Sequence, residues 1–314
     1  MRIVFIGTPE FAVTSLEALI AAGENIVGVI TAPEKPAGRG KKLQGSAVKQ
    51  CAEKHGLTLL QPTNLKDPDF LGELKALNAD LQIVVAFRMM PESVWNMPRL
   101  GTFNLHGSLL PQYRGAAPIN WAIMNGEKET GVTTFFLKHE IDSGSIIDQE
   151  KVAIGPDENV GVLYERLMHV GADLVVKTVG KIKTDDYTLT NQEDALKQLT
   201  HVKNAPKLNK DICKIDWNQS IDQLHNYIRG LSPYPCAFTE VNVDNKQLKL
   251  KLYRTTKEAD VKASTPTIIC EKKRIGVSNS SGTIWITELQ LEGKKRMEAV
   301  SFLAGLKTEI TLAL

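Results

Sequence analysis

Apolar residues run through this chain in two rhythms. Residues 2–7 (RIVFIG), 25–31 (NIVGVIT) and 81–87 (LQIVVAF) are continuous apolar runs bounded by turn formers. That pattern predicts strands buried on both faces, as in a parallel sheet. Between the runs, Phe11, Ser15, Leu16, Leu19 and Ile20 recur at helical spacing up to Gly23. Further helices are predicted over 47–55, closed by Gly56, and over 68–77, 116–124 and 160–183. Shorter strands fit 57–60, 102–106 and 131–137. Strands alternating with helices predict an α/β fold, a doubly wound and mostly parallel sheet of Rossmann-like type. Ligands of such sheets bind beyond the carboxyl ends of the strands. The residues after Gly7, Phe87, Leu105 and Leu137 are therefore the ones to inspect.

From 184 to 206 the chain turns polar and loses its period, which predicts a linker. Beyond it a helix is predicted over 220–229, then the segment Ser232-Pro233-Tyr234-Pro235. Short alternating runs follow at 237–243, 248–253, 267–269, 274–277 and 283–289, and a helix at 297–304. Five short strands separated by turn residues predict a small β-barrel of the OB-fold kind. The expected domains are 1–183 and 207–314, joined by 184–206.

Composition changes this picture little. A chain of 314 residues, 42% hydrophobic and 24% charged, is not disordered, collagenous or coiled-coil. Its net charge of +2 argues against a dedicated nucleic-acid binder, but the sum hides an asymmetry. Residues 1–200 hold 20 basic and 24 acidic side chains, and the remainder holds 18 and 12. Cys51, Cys213, Cys236 and Cys270 form no C-x-x-C pair, so reduced and mostly buried thiols are expected and a metal site is not. The opening MRIVFIG is too short for a signal peptide, and no run approaches the ~20 apolar residues of a membrane span. A cytoplasmic, monomeric protein is expected.

The first strand ends Gly7-Thr8-Pro9-Glu10, without the G-x-G-x-x-G of a dinucleotide site, and no Walker A loop is present. This weakens a nicotinamide-dependent oxidoreductase as the function. The stretch 101–118, GTFNLHGSLLPQYRGAAP, is more informative. Strand alternation puts Asn104 and His106 on one face, near a carboxyl end. Asp142 lies in a turn beside Gly144. An Asn, a His and an Asp on neighbouring strand ends suit acyl transfer to an amine. Asn104 would hydrogen-bond the oxyanion, His106 would take or relay the amine proton, and Asp142 would orient the imidazole or favour its protonated form. Taken singly, each has a plainer explanation: a His after a strand commonly packs, and an Asp before Ser-Gly commonly turns the chain.

The segment Asn104-Leu105-His106-Gly107-Ser108-Leu109-Leu110-Pro111-Gln112-Tyr113-Arg114-Gly115 resembles the signature of the 10-formyltetrahydrofolate-dependent formyltransferases. Gly131-Val132-Thr133 and Ile141-Asp142-Ser143-Gly144 are similar to that family's second catalytic segment. Gly7-Thr8-Pro9-Glu10-Phe11-Ala12, 36–42, Ile215-Asp216-Trp217 and 228–235 extend the likeness over nearly the whole chain. The resemblance implies that Asn104, His106 and Asp142 are catalytic. It implies that Ser108, Leu109, Leu110 and Pro111 line a tetrahydrofolate site, with Phe87 and Met89 on the neighbouring loop. It implies 10-formyltetrahydrofolate as formyl donor, no metal, and the methionine amino group of initiator methionyl-tRNA as acceptor. Lys35, Arg39, Lys41 and Lys42 of a Gly/Pro-rich loop, together with Arg229, would then contact the tRNA.

Two departures from the family pattern stand out: Arg88-Met89-Met90 follows Phe87 where a Gly is usual, and Glu140 and Ser143 flank Ile141-Asp142 in place of Gly and Thr. Another amine acceptor, such as a sugar nucleotide or purine precursor, stays open, as does a non-catalytic RNA-binding role for the tail.

Overall fold

The computed structural model describes residues 1–37, 42–197 and 199–313. In chain order the elements begin β1 (Arg2–Gly7), α1 (Glu10–Ala21), β2 (Asn25–Ile30), β3 (Lys35–Ala37), β4 (Lys42–Gln44), α2 (Ala47–Lys54), β5 (Leu59–Leu60) and α3 (Pro68–Ala76). There follow β6 (Leu81–Val85), α4 (Glu92–Trp95), β7 (Thr102–His106), β8 (Arg114–Gly115), α5 (Pro118–Met124), β9 (Glu129–Phe136), β10 (Ile146–Ala153), α6 (Val160–Thr184) and α7 (Gln192–Leu196). The rest are β11 (Asn204–Ala205), α8 (Ile221–Leu231), β12 (Ala237–Val243), β13 (Lys246–Glu258), β14 (Thr267–Cys270), β15 (Ile275–Asn279), β16 (Gly282–Leu291), β17 (Met297–Glu298), α9 (Ala299–Gly305) and β18 (Ile310–Leu312).

Two units form. The first comprises Met1–Gly115, Thr130–Val152 and Tyr164–Asn204. Its seven-stranded sheet has the order β10-β9-β7-β6-β1-β2-β5. The β1/β2, β1/β6, β2/β5 and β6/β7 pairs are parallel, and β7/β9 is antiparallel. Ile3, Val4, Phe5 and Ile6 are all fully buried, as are Leu81, Ile83 and Val85. Consecutive burial explains why these strands read as unbroken apolar runs: both faces are covered, each large side chain contributing about 1.5–3 kcal/mol. Helices start where caps allow. Ser46 accepts a hydrogen bond from the Lys49 amide, and Asp67 from the Asp69 amide with Pro68 at the first helical position. The strand β10 was not expected. It is an edge strand whose Asp148, Gln149, Glu150 and Lys151 hide the apolar signal.

The second unit comprises Ala116–Glu129, Ala153–Leu163 and Ala205–Leu314. Its antiparallel sheet has the order β14-β15-β16-β13-β12-β18, with β17 paired to β16 and β14 lying beside β18, so that a barrel nearly closes. The helix α8 opens on a Ser220/Gln223 capping box and packs Leu224 and Ile228 into the barrel core with Leu250, Leu252 and Ile286. Buried His225 on this helix donates from Nε2 to Asp157 at 3.0 Å and accepts at Nδ1 from Thr255 at 3.1 Å. Burial pulls its pKa below the ordinary value, Asp157 opposing, which suits the neutral ring.

Arg229, expected on the RNA-binding surface, does not lie there. It is 4% exposed. Its Nε and one terminal nitrogen donate to Asn226 Oδ1 at 2.9 and 2.8 Å. The other terminal nitrogen donates to the carbonyls of Gly155 and Glu158 at 3.1 and 2.8 Å. The guanidinium is a bracket for the 155–158 turn and has no surface to offer a phosphate. Arg229→Ala is therefore expected to lower the unfolding free energy by about 2–4 kcal/mol, read by urea titration, because it removes all four of the guanidinium's hydrogen bonds and leaves its buried site empty.

In the first unit, Asp148 pairs with Lys177 at 3.0 Å and Lys181 at 2.7 Å. Burial pushes its carboxyl upward, but Lys181, Lys177 and the Gln149 amide outweigh that and hold its pKa below the usual carboxylate value. A depressed carboxylate contributes stability that is complete above the unfolded value of about 4 and is lost as the pH falls through the folded one. Asp148→Asn should thus cost about 1–2 kcal/mol at neutral pH, and the gap to wild type should close in urea titrations taken below about pH 4.

Candidate active site

The carboxyl end of β7 carries the two residues singled out by alternation. Asn104 is half-buried, and its side-chain amide makes no hydrogen bond among the described residues. His106 is 6% exposed, and its ring stands edge-on to Phe135, 6.5 Å between centroids. Its Nε2 lies 2.9 Å from the Tyr113 carbonyl oxygen. A carbonyl only accepts, so Nε2 carries the proton and Nδ1 is left as the working atom of the neutral ring. Facing Nδ1, at 3.8 Å, is Oδ2 of Asp142. That separation suits an ion pair once the ring is protonated, and is too long for a hydrogen bond.

Asp142 reaches this place through a strained turn. Its φ is +52°, as is rare for a residue other than Gly, and Tyr113 opposite has φ +61°. Gly144 is needed because a Cβ there would lie 1.6 Å from the Phe136 carbonyl oxygen. Three groups hold the turn. The Gly115 amide donates to Asp142 Oδ2 at 3.0 Å. The Gln192 amide nitrogen donates to the Asp142 and Gly144 carbonyls at 2.9 and 2.7 Å. The Gln192 amide oxygen in turn accepts from Nε and a terminal nitrogen of Arg114 at 3.0 and 2.7 Å.

The loop after His106 is clamped by Thr133 and Gln149. The Thr133 hydroxyl donates to the Ser108 carbonyl at 2.6 Å and accepts from the Leu110 amide at 3.1 Å and from Gln149 Nε2 at 2.8 Å. Gln149 Nε2 also donates to the Leu110 carbonyl at 2.9 Å. Of the residues expected against the cofactor, Ser108, Leu110 and Pro111 are buried, and the Ser108 hydroxyl donates within the loop to the Gln112 carbonyl at 2.7 Å. Leu109 is half-buried. On the loop after β6, Phe87 packs onto the cluster of Val4, Ile6 and Val84, while Met89 is 74% exposed. Arg88 donates to the Pro62 and Thr63 carbonyls at 2.7 and 3.1 Å and so ties that loop down.

Sequence reasoning did not find Gln149 or Gln192, and it reached Thr133 only through the family resemblance of Gly131-Val132-Thr133, with no role as a clamp. Gln192 lies in the stretch expected as a linker, where Gln112 also bonds His201 and Lys203 and the Tyr113 amide meets the Lys203 carbonyl. Of the basic loop, Lys35 and Lys42 have their backbones on the paired strands β3 and β4, while Arg39 and Lys41 lie outside the described residues. Among the described residues one trio of metal-capable groups gathers, Glu17, Cys51 and His55. Lys54 sits 3.2 Å from the Glu17 carboxylate, and burial pushes the Cys51 thiol up, so the trio is occupied as a salt-bridged helix contact.

Comparison with known proteins bears on the family of the chain as a whole. The family "Formyl transferase" matches residues 1–179, and "Formyl transferase, C-terminal domain" matches 207–307. The chain is 53% identical to a methionyl-tRNA formyltransferase of Azobacteroides pseudotrichonymphae genomovar. CFP2, covering 97% of this chain and 95% of that protein. It is 54% identical to a methionyl-tRNA formyltransferase of Parabacteroides distasonis, covering 98% and 96%. An N-formyltransferase from Helicobacter canadensis, solved with folinic acid and dTDP-3-aminofucose, superposes with a TM-score of 0.65 at 20% identity over 95% of this chain and 100% of that one. No helix among the described residues is long and apolar enough to cross a membrane. With a family match across more than half its length and relatives above 50% identity, the chain belongs to the formyl transferase family.

Proposed function

We propose that this protein transfers the formyl group of 10-formyltetrahydrofolate to the methionine amino group of initiator methionyl-tRNA. One observation carries the reading: relatives identical at more than half of all positions, over nearly the whole length, are methionyl-tRNA formyltransferases. The site geometry supports it. The donor supplies an activated formyl carbon, so no protein nucleophile is required. Asn104, whose amide is half-buried and unpaired among the described residues, is suited to donate to the formyl oxygen as negative charge develops there. His106, with Nε2 committed to Tyr113, has Nδ1 to accept the amine proton. Asp142 then faces the imidazolium across 3.8 Å. The loop 108–111, with Phe87 and Met89, is where the folate would rest.

The division of labour follows the charge. Residues 1–183 would carry the chemistry and 207–314 would grip the RNA, with 184–206 between them, in a cytoplasmic monomer. On the barrel, Lys249 lies 4.0 Å over the Phe238 ring and Arg296 lies 4.2 Å over Tyr253, a pairing of cation and aromatic face that suits a nucleic-acid surface. Lys35, Arg39, Lys41 and Lys42 would contact the tRNA from the first unit.

Purified protein given 10-formyltetrahydrofolate and methionyl-tRNA should yield formylmethionyl-tRNA with a chelator present; no product overturns the reading. In that assay, His106→Ala or Asp142→Asn should cut turnover by ~10²-fold or more. Replacing Arg39 and Lys41 by Ala should weaken tRNA binding and flatten its dependence on salt, with folate affinity little changed. Equal loss of folate affinity would contradict the division of roles.

A further inference from the structure

We infer that Gln192 is a positioning residue for formyl transfer, holding the Asp142 turn and the Arg114-Gly115 segment so that the Asp142 carboxylate faces His106. This rests on the function proposed above. Gln192 is fully buried, and all four hydrogen-bonding positions of its amide are used. The orientation of that amide is not arbitrary: Arg114 offers only donors and the Asp142 and Gly144 carbonyls only accept, so oxygen must face the one and nitrogen the others.

With the Gly115 amide bonded to Asp142 Oδ2, the contacts close a ring. It runs from the Asp142 carboxylate to Gly115, through Arg114 to Gln192, and back to the Asp142 backbone. Carboxylate and backbone of one residue are thereby held from two sides. Asp142 requires this, because its φ of +52° is not a conformation that an Asp keeps without support. The packing role of a buried Gln would be satisfied by any side chain of its shape. The positioning role needs nitrogen donors on one side and an oxygen acceptor on the other.

That difference defines the experiment. Gln192→Glu preserves shape and keeps an acceptor for Arg114, now charged, but sets an oxygen against the two carbonyls. Gln192→Ala removes the whole bracket. Each is compared with wild type by steady-state formylation, varying folate and methionyl-tRNA separately, and by amide exchange over residues 140–145. Expected for both is a fall in kcat of at least ~10-fold with either KM within about threefold of wild type, as for a group that acts on the transition state, together with faster exchange across the Asp142 turn. A folded Gln192→Glu protein with kcat within about twofold of wild type, or with unchanged exchange, overturns the inference. Should Gln192→Ala fail to fold, the isosteric Glu variant decides alone. If wild type itself does not formylate, the function proposed above fails, and the exchange experiment still reports on the turn.

Discussion

The candidate site depends on keeping one carboxylate where the backbone resists putting it. Asp142 sits on a left-handed turn, opposite a ring whose other nitrogen is already committed to Tyr113. Neither half of that pair is held by its own strand alone. β7 presents the imidazole, but Asp142 lies between β9 and β10, on a turn that Gly144 packs tightly against the end of β9. The turn is stabilised from outside by Gly115, Arg114 and Gln192. In a half-buried setting each such bond is worth about 1.5–3 kcal/mol when a charged partner is involved, comparable to the cost of the strained φ it offsets. Strain and bracket balance, and the geometry persists.

A second clamp uses the same logic on the opposite loop. The Thr133 hydroxyl is saturated, one bond given and two accepted, and each partner belongs to the 108–111 loop or to Gln149. The loop thereby keeps its own backbone polar groups satisfied while burying Leu110 against Phe135 and Ile146. A loop held in this way is pre-organised, so binding a ligand there need not also order the backbone.

The sheet was legible from sequence because burial on both faces writes itself as unbroken apolar runs, as in 2–7 and 81–87. Asn104 and His106 were legible because a strand has period two, and Asp142 because a carboxylate beside Ser-Gly marks a turn near a strand end. The brackets were not legible. Gln192 is a polar residue in a polar stretch, and its meaning lies entirely in partners 48 and 78 positions away. The short β18, a three-residue strand, had too little pattern to be seen, although it continues the barrel sheet beyond β12. Arg229 shows the opposite failure. A basic residue in a basic region invites a phosphate, yet its place on the inner face of α8, one turn from buried His225 and next to buried Ile228, commits it to the interior.

Arg229 also shows why a regional charge count is a blunt guide to RNA binding. Several cations of the second unit are answered locally: Arg296 by Glu288, Arg274 by Glu271 and Glu258, Lys214 by Glu240, and Lys257 by Asp222. Paired charges on a surface contribute little field beyond a Debye length of about 8 Å. What distinguishes this barrel is placement. Along β13, Leu250 and Leu252 are buried while Lys249, Lys251 and Tyr253 alternate with them, so the strand's outward side is basic and aromatic together. Lys272, Lys273, Lys294 and Lys295 add exposed charge at the β14–β15 and β16–β17 turns. A phosphate backbone responds to such local density, and bases to the aromatic faces beside it. The net excess of basic residues matters only to the extent that this arrangement leaves it unpaired.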